Sequence, residues 1–323
     1  MRVIVAGGAG FLGSHLCDRL LDRGDDVVAV DDLSTGFVEN VSHQQANKNF
    51  ELVIADVSVG VPIEGEVNAV FNLASPASPP AYLARPLQTL AVGSEGTRHL
   101  LELAEHHNAR FIQASTSEIY GDPLVHPQQE DYWGNVNPIG PRSVYDESKR
   151  FSEALVMAHY RELGTSVGIA RIFNTYGPRL APGDGRVVSN FIIQALNKEP
   201  LTIYGDGSQT RSLCYVSDMI SGLVALLNSD AIGPINLGNP AEITILDLAR
   251  RVIDITESSS LITFHDRPLD DPKRRKPDVD LVMSLLGWAP EIDLDAGLYS
   301  TIEYFVSRDK HDRDDVTSNL SEK

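Results

Sequence analysis

Tyr145 and Lys149 stand four residues apart in Tyr145-Asp-Glu-Ser-Lys149, a spacing that puts a phenol and an ammonium on one face of a helix. A free phenol titrates near pH 10 and is a poor base at neutrality, but a neighbouring cation favours its phenolate. Such a base suits removal of the proton from an alcohol that is losing hydride. Upstream, Ser115-Thr-Ser-Glu-Ile-Tyr-Gly121 directly follows an apolar run and sets hydroxyls and a carboxylate at a strand end. A hydride acceptor is signalled separately. The opening Met1-Arg-Val-Ile-Val-Ala-Gly-Gly-Ala-Gly-Phe-Leu-Gly13 leads a strand into a glycine turn, and a second apolar run, 27–30, ends on Asp31. Gly7 permits the tight bend, Gly10 lets backbone approach a pyrophosphate, and Gly13 lets the following helix pack close to the sheet. Phe11 and Leu12 stand at the entry to that helix, whose amide-rich start faces two phosphates. Asp31 suits both ribose hydroxyls and repels a 2′-phosphate, so the expected cofactor is NAD rather than NADP. Its positive nicotinamide ring would also favour the Tyr145 phenolate.

The elements that must position these groups alternate. Apolar strand patterns fall at 2–6, 26–30, 51–55, 69–73, 110–114 and 166–172, and helical patterns at 12–23, 93–106 and 146–163. Strands separated by helices predict an α/β fold, a Rossmann-like doubly wound parallel sheet covered on both faces. Asp56 follows the third strand, where it meets the adenine edge or, alternatively, caps a turn; Leu73 closes the fourth and is counted with the cofactor residues. From Tyr176 the pattern turns irregular, punctuated by Gly177-Pro-Arg179, Ala181-Pro-Gly-Asp-Gly185 and Tyr204-Gly-Asp-Gly207. The expected organisation is an NAD domain over 1–175 and a smaller, mainly substrate-binding lobe over 176–307. About 215–240 returns to the first domain, as a helix over 215–227 and a strand over 234–237. A polar tail, 308–323, follows and is expected to be loose.

Composition narrows the partners. The chain of 323 residues has 45 acids against 27 basic residues, a net charge of −18. That field disfavours nucleic acid and anionic membrane surfaces, yet a few local arginines can still invert the potential inside a cleft. Cys17 and Cys214 are the only cysteines, too few for a disulfide-built fold and compatible with a reducing compartment. There is no cationic, apolar leader before the first strand and no apolar run of about 18 residues. The expectation is a cytoplasmic protein that spans no membrane. The histidines form no compact ligand set, and a nicotinamide suffices for hydride transfer, so no metal is expected.

With the glycine fingerprint, Thr116, Tyr145 and Lys149 in place, the chain resembles the extended short-chain dehydrogenase/reductase family over residues 1–307. The resemblance implies that Thr116 hydrogen-bonds the reacting hydroxyl, Tyr145 removes its proton and Lys149 holds the nicotinamide ribose. Further strings resemble the branch of the family that decarboxylates UDP-glucuronate to UDP-xylose. They are Leu73-Ala-Ser-Pro-Ala-Ser-Pro-Pro80, Glu130-Asp-Tyr-Trp-Gly134, Asn137-Pro-Ile-Gly-Pro-Arg142, Arg171-Ile-Phe-Asn174, Gly185-Arg-Val-Val-Ser-Asn-Phe191, Gly207-Ser-Gln-Thr-Arg211 and Asp271-Pro-Lys-Arg-Arg-Lys-Pro277. On this resemblance Arg275 meets the sugar carboxylate, and Glu118 orders the C4–C5 region or a water. Ser75, Pro76 and Ser117 lie between nicotinamide and sugar. Asn174, Asn190 and Arg211 hold sugar or diphosphate, Arg186 and Val187 close over the diphosphate, and Tyr204 stands by the uracil. Arg274 and Lys276 are supports.

Two enzymatic alternatives stay open. Relatives that remove water at C4–C6 carry an Asp-Glu pair where this chain has Ser117-Glu118, and 4-epimerases usually lack a glutamate there. A non-catalytic, NAD-binding regulatory protein is a third possibility. The family also implies a homodimer built from the helices at 93–106 and 146–163. Three positions depart from its pattern: Asn72 replaces a histidine, Gly93 an asparagine that braces the central helices, and Ser148 a glycine.

Overall fold

The computed structural model describes residues 1–267 and 274–321. The chain opens with β1 (Arg2–Ala6), α1 (Phe11–Asp22), β2 (Asp26–Asp31), β3 (Phe50–Ile54) and β4 (Ala69–Asn72). It continues through α2 (Pro79–Ala84), α3 (Pro86–Ala91), α4 (Thr97–His106), β5 (Arg110–Thr116), α5 (Ser143–Leu163) and β6 (Val167–Ile172). Among the described residues the main sheet has seven strands. Six come from this first stretch, and β11 (Ile235–Leu237) is the seventh, after the short β7 (Thr175–Tyr176), β8 (Leu201–Tyr204), β9 (Thr210–Ser212) and β10 (Cys214–Tyr215). The order is β11-β6-β5-β4-β1-β2-β3, parallel throughout. This is the expected doubly wound sheet, and its order reverses at β1, so a crevice opens at the carboxyl ends of β1 and β4.

Alternation along the strands builds both faces. Val3 and Val5 of β1 pack with Leu16 and Leu20 of α1 and with Met219 and Leu223 of α7 (Val216–Leu227). Ile4 and Ala6 face the other way, onto Leu100 and Leu101 of α4 and Val156 of α5. A separate core of Phe191, Ile203, Leu248 and Leu298 joins α6 (Val187–Leu196), β8, α8 (Ile245–Thr256) and α10 (Leu294–Ser321). This second body sits beside the carboxyl edge of the sheet. It is completed by β12 (Glu242–Thr244) against β9 and β13 (Ile262–His265) against β8. The remaining helix, α9 (Asp280–Leu286), packs by β11, Val282 joining the core of the α1–α7 face.

Three local findings refine the sequence reading. The expected helix at 93–106 begins in a wider π-type turn, Val92–Gly96, and only then becomes α4. The turn packs closely: a Cβ on Gly93 would lie 2.6 Å from the Ser148 Cβ, and one on Gly96 2.9 Å from a Val57 methyl. Two departures from the family pattern thus meet, the side chain of Ser148 occupying the space that a residue larger than glycine at 93 would need. Asn72, the third, is a buried brace, its amide donating to Thr97 Oγ1 (3.1 Å) and Gln113 Oε1 (3.0 Å). Finally, the tail expected to be loose continues the backbone of α10 to Ser321. No Gly or Pro between 308 and 321 stops it. Asp271, Pro272 and Lys273 of the basic string, and Glu322 and Lys323 of the tail, lie outside the described residues.

The Gly93–Ser148 contact is testable by thermal unfolding. Gly93→Ala should destabilise the fold by about 1–3 kcal/mol through overpacking. Adding Ser148→Gly should recover most of that loss; equal stability of the single and double variants would refute the contact.

Candidate active site

The cofactor end is built of backbone. Gly7 has φ +78°, and a Cβ there would meet the Leu73 carbonyl carbon at 2.8 Å and Ala74 N at 2.9 Å. A Cβ on Gly13 would lie 2.0 Å from Gly7 O. Only glycines let the turn after β1, the start of α1 and the loop after β4 crowd this closely. Gly10 caps α1 in extended conformation with no side-chain cap, leaving the first-turn amides of Phe11, Leu12 and Gly13 for an anion. Asp31 ends β2, its Oδ2 accepting from Ala9 N (3.0 Å) and its Oδ1 from Leu33 N (2.9 Å). Burial raises its pKa, and those amides offset only part of the rise. Asp56 lines the same cleft while its Oδ1 caps a turn, accepting from Ser58 N (2.8 Å) and Ser58 Oγ (2.6 Å). The side-chain-free cradle with an acid at the next strand end fits a dinucleotide bearing a free 2′-hydroxyl.

Beyond the cradle, the cleft extends between the two bodies, with a volume of about 740 Å³. Thr116 ends β5, and its Oγ1 accepts from Glu118 N (3.2 Å) as the chain turns over. Tyr145, on the first turn of α5, is hydrogen-bonded by Thr116. Lys149 lies one turn on, its Nζ donating to Ala114 O at 2.9 Å and standing 5.9 Å from the Tyr145 ring centre. The expected lowering of the phenol pKa by its lysine is not found here. Burial pushes Tyr145 up to about 12, outweighing the Thr116 hydrogen bond; the Lys149 ammonium donates to a carbonyl rather than to the phenol. Burial also pulls Lys149 down to about 8. Lowering of the phenol therefore falls to whatever cation binds over it.

Glu118, from the turn after β5, is held by two arginines from separate segments. Arg275 grips both carboxylate oxygens, and Arg142 Nη2 donates to Oε2 at 2.8 Å. Burial opposes its charge, but the two guanidiniums outweigh that and hold Glu118 below the usual carboxylate range. Arg275 is 6% exposed, and its buried Nε has no hydrogen-bond partner among the described residues. Beside this cluster Asp146 is buried, its Oδ1 without a hydrogen-bond partner among the described residues. Burial, reinforced by the Glu118 charge, pushes it up to about 7.

All the residues expected to touch cofactor or substrate line this one cleft, Ser75, Pro76 and Ser117 beside the Thr116 group and Asn174 just past β6. Arg186 and Val187 stand at the start of α6 with Asn190 one turn on, Arg186 pairing with Asp184 at 3.3 Å. Tyr204 ends β8 and Arg211 lies within β9, its Nη1 donating to Thr210 O (2.9 Å). Three residues around Tyr145 and Glu118, two of them in the cleft lining, were not expected. Tyr82 stacks on Tyr145, with centres 5.2 Å apart and planes 7° off parallel, and its buried hydroxyl has no partner among the described residues. Arg142 and Asp146 complete the set. Arg142 closes a string already singled out and Asp146 follows Tyr145 directly, so proximity to Tyr145 was the available signal; nothing in the sequence paired them with Glu118.

A family model described as the NAD dependent epimerase/dehydratase family matches residues 3–238. UDP-glucuronic acid decarboxylase 1 of Arabidopsis thaliana is 51% identical over 308 residues, covering 95% of this chain and 70% of that protein. UDP-glucuronic acid decarboxylase 1 of Danio rerio is 51% identical over 310 residues, 96% of this chain and 74% of the relative. Among solved structures, UDP-glucuronic acid 4-epimerase from Bacillus cereus in complex with UDP-glucuronic acid and NAD superposes with a TM-score of 0.85 at 29% identity. That match covers 95% of this chain and 99% of the other.

Asp146 yields a pH prediction. Its folded-state pKa lies above the ordinary carboxyl value, so the native state holds its proton more tightly than the unfolded chain. Stability is therefore lost as pH rises from the ordinary value to the raised one. Asp146→Asn should unfold about 2–4 °C above the parent at pH 8, with the gap shrinking toward pH 5.5. A gap independent of pH would count against the buried, poorly ionised acid.

Proposed function

The chain belongs to the NAD dependent epimerase/dehydratase family, and we propose that within it this protein decarboxylates UDP-glucuronate to UDP-xylose, recycling NAD in each turnover. Its curated decarboxylase relatives align over nearly the whole chain. The geometric observation that carries the reading is Arg275, brought from a distant segment to Glu118, at the same strand end as Thr116 and Tyr145. A cation there suits a sugar carrying a carboxylate beside its reacting carbon.

When bound, NAD supplies a reversible hydride acceptor. Gly7, Gly10 and Gly13 would admit its pyrophosphate, with Phe11 and Leu12 at the helix start, Asp31 at its ribose, Asp56 near its adenine and Leu73 in the nicotinamide wall. Tyr145 takes the proton of the sugar C4 hydroxyl, Thr116 orients that hydroxyl and Lys149 holds the nicotinamide ribose. Oxidation at C4 leaves a ketone β to the C6 carboxylate. The C5–C6 bond can then break, its electron pair moving onto the ketone oxygen as carbon dioxide leaves. Tyr145 and Thr116 donate hydrogen bonds to the resulting enolate oxygen. Arg275 holds the carboxylate until it departs and stays by C5 while a proton returns there. Glu118, kept ionised, orders that end with Ser117. Ser75 and Pro76 wall the sugar; Asn174, Asn190, Arg186, Val187 and Arg211 hold the diphosphate and sugar, and Tyr204 stands by the base.

The working form we propose is a homodimer, paired through the helices over 93–106 and 146–163. Leu87 and Leu90 of α3 and Phe151 of α5 support it, being apolar yet 80%, 39% and 51% exposed. A cytoplasmic location is proposed on the free, buried Cys17 and Cys214. Among the described residues no helix is long and apolar enough to cross a membrane.

Purified protein given UDP-glucuronate and substoichiometric NAD should release carbon dioxide well beyond the NAD supplied, leaving UDP-xylose by NMR. Tyr145→Phe should lower turnover about 10²–10⁴-fold. A product of unchanged mass inverted at C4 would instead mark a 4-epimerase, and loss of water a dehydratase. NAD binding without any turnover would mark a regulatory protein. Phe151→Glu should shift the mass in solution from dimer to monomer by light scattering; an unchanged dimer would remove α5 from the interface.

A further inference from the structure

Arg275 lies between residues outside the description and α9, on a stretch with no helix or strand of its own. The backbone around Arg275 is bracketed by Gln128 of another loop. Gln128 N donates to Lys276 O (2.9 Å), and Asp278 N donates to Gln128 O (2.8 Å), a one-bridge parallel pairing centred on Pro277. The Gln128 side chain closes the bracket, Oε1 accepting from Lys276 N at 2.8 Å and Nε2 donating to Val125 O at 2.8 Å. That Lys276 N–H belongs to the peptide bond that leaves Arg275, so Gln128 pins the backbone immediately beside the arginine. The bracket is anchored to the sheet: Asn236 of β11 donates to Gln128 O (2.9 Å) and to Asp278 O (3.2 Å), and Tyr120 donates to its Oδ1 (2.8 Å). Gln128 is fully buried and does not line the cleft.

We propose that Gln128 is a positioning residue for Arg275, setting the reach of that guanidinium toward the sugar carboxylate without touching substrate. A glutamine suits the task because it offers an acceptor and a donor at fixed separation. No hydrophobic residue of its size could satisfy the half-buried Lys276 N–H. The inference rests on the reading of Arg275 given above, so the experiment separates the two.

The full-length protein, Gln128→Leu, Arg275→Ala and the double variant would be compared in carbon dioxide release. Their binding of UDP-glucuronate, UDP-glucose and NAD would be followed by calorimetry. Gln128→Leu should lower kcat about 10- to 100-fold, as expected for a misplaced group. It should also narrow the preference for UDP-glucuronate over UDP-glucose, while affinities for UDP-glucose and NAD stay within about threefold. In the Arg275→Ala background it should add nothing, because both changes act through one group. If Gln128→Leu does not fold, as shown by lost NAD binding, Gln128→Asn reads the same point, its amide withdrawn by one methylene from Lys276 N. Parent-like kcat and uronate preference in a folded variant, or effects that add to those of Arg275→Ala, would overturn the positioning role. A parent protein with neither carbon dioxide release nor uronate preference would overturn the reading of Arg275 itself, and the proposal with it.

Discussion

Every strand of the main sheet runs the same way, and the rest of the molecule depends on that constraint. Parallel strands end on one edge, so whatever follows each strand is delivered to the same place. Gly7 follows β1, Asp31 ends β2, Asp56 follows β3, Leu73 follows β4, Thr116 ends β5 and Asn174 lies just past β6. Residues scattered over the first half of the chain thus become neighbours in a single cleft. The reversal of strand order at β1 decides where on that edge the opening lies. The second body then closes the cleft from the other side with α6, β8 and β9.

Within the cleft, electrostatics runs against the charge of the whole chain. A protein with a net charge of −18 gathers Arg142, Arg186, Arg211 and Arg275 along one cavity. Glu118 is the counter-ion of two of these. A buried guanidinium without a counter-ion loses far more hydration than one salt bridge to water-exposed groups returns. The same cluster accounts for the awkward position of Asp146. A second carboxylate beside Glu118 faces burial and like charge together, which Arg142 and Arg275 offset only in part. Tyr82, stacked flat on Tyr145, contributes shape instead of charge: it fixes the plane of the phenol that must face the sugar.

The helices behind the site show how packing distance limits sequence. Gly93 and Gly96 let α4 and its π-type turn approach α5 and the loop after β3. Ser148 turns its hydroxyl back onto its own helix, donating to Tyr145 O (2.8 Å), while Ser152 donates across to Gly93 O (2.7 Å). It is Ser152, two turns beyond Tyr145, that ties α5 to the π-type turn.

Much of this was legible in the residues. The strand and helix runs follow from their apolar periods, and the glycine turn from positions that admit no Cβ. NAD follows from that turn with Asp31. These are local properties, carried by neighbours in the chain. Other features were not legible, because they depend on contacts between distant segments. Nothing in Asn137-Pro-Ile-Gly-Pro-Arg142 announces a partner for Glu118. No spacing links Gln128 to a peptide bond beyond Arg275, and burial turned the expected lowering of Tyr145 into a rise to about 12. The sequence by itself determined the sheet, the cofactor and the types of group that would meet at its edge. Only the tertiary structure decided which charges neutralise one another and where each proton rests, since dielectric and distance exist only once the chain is packed.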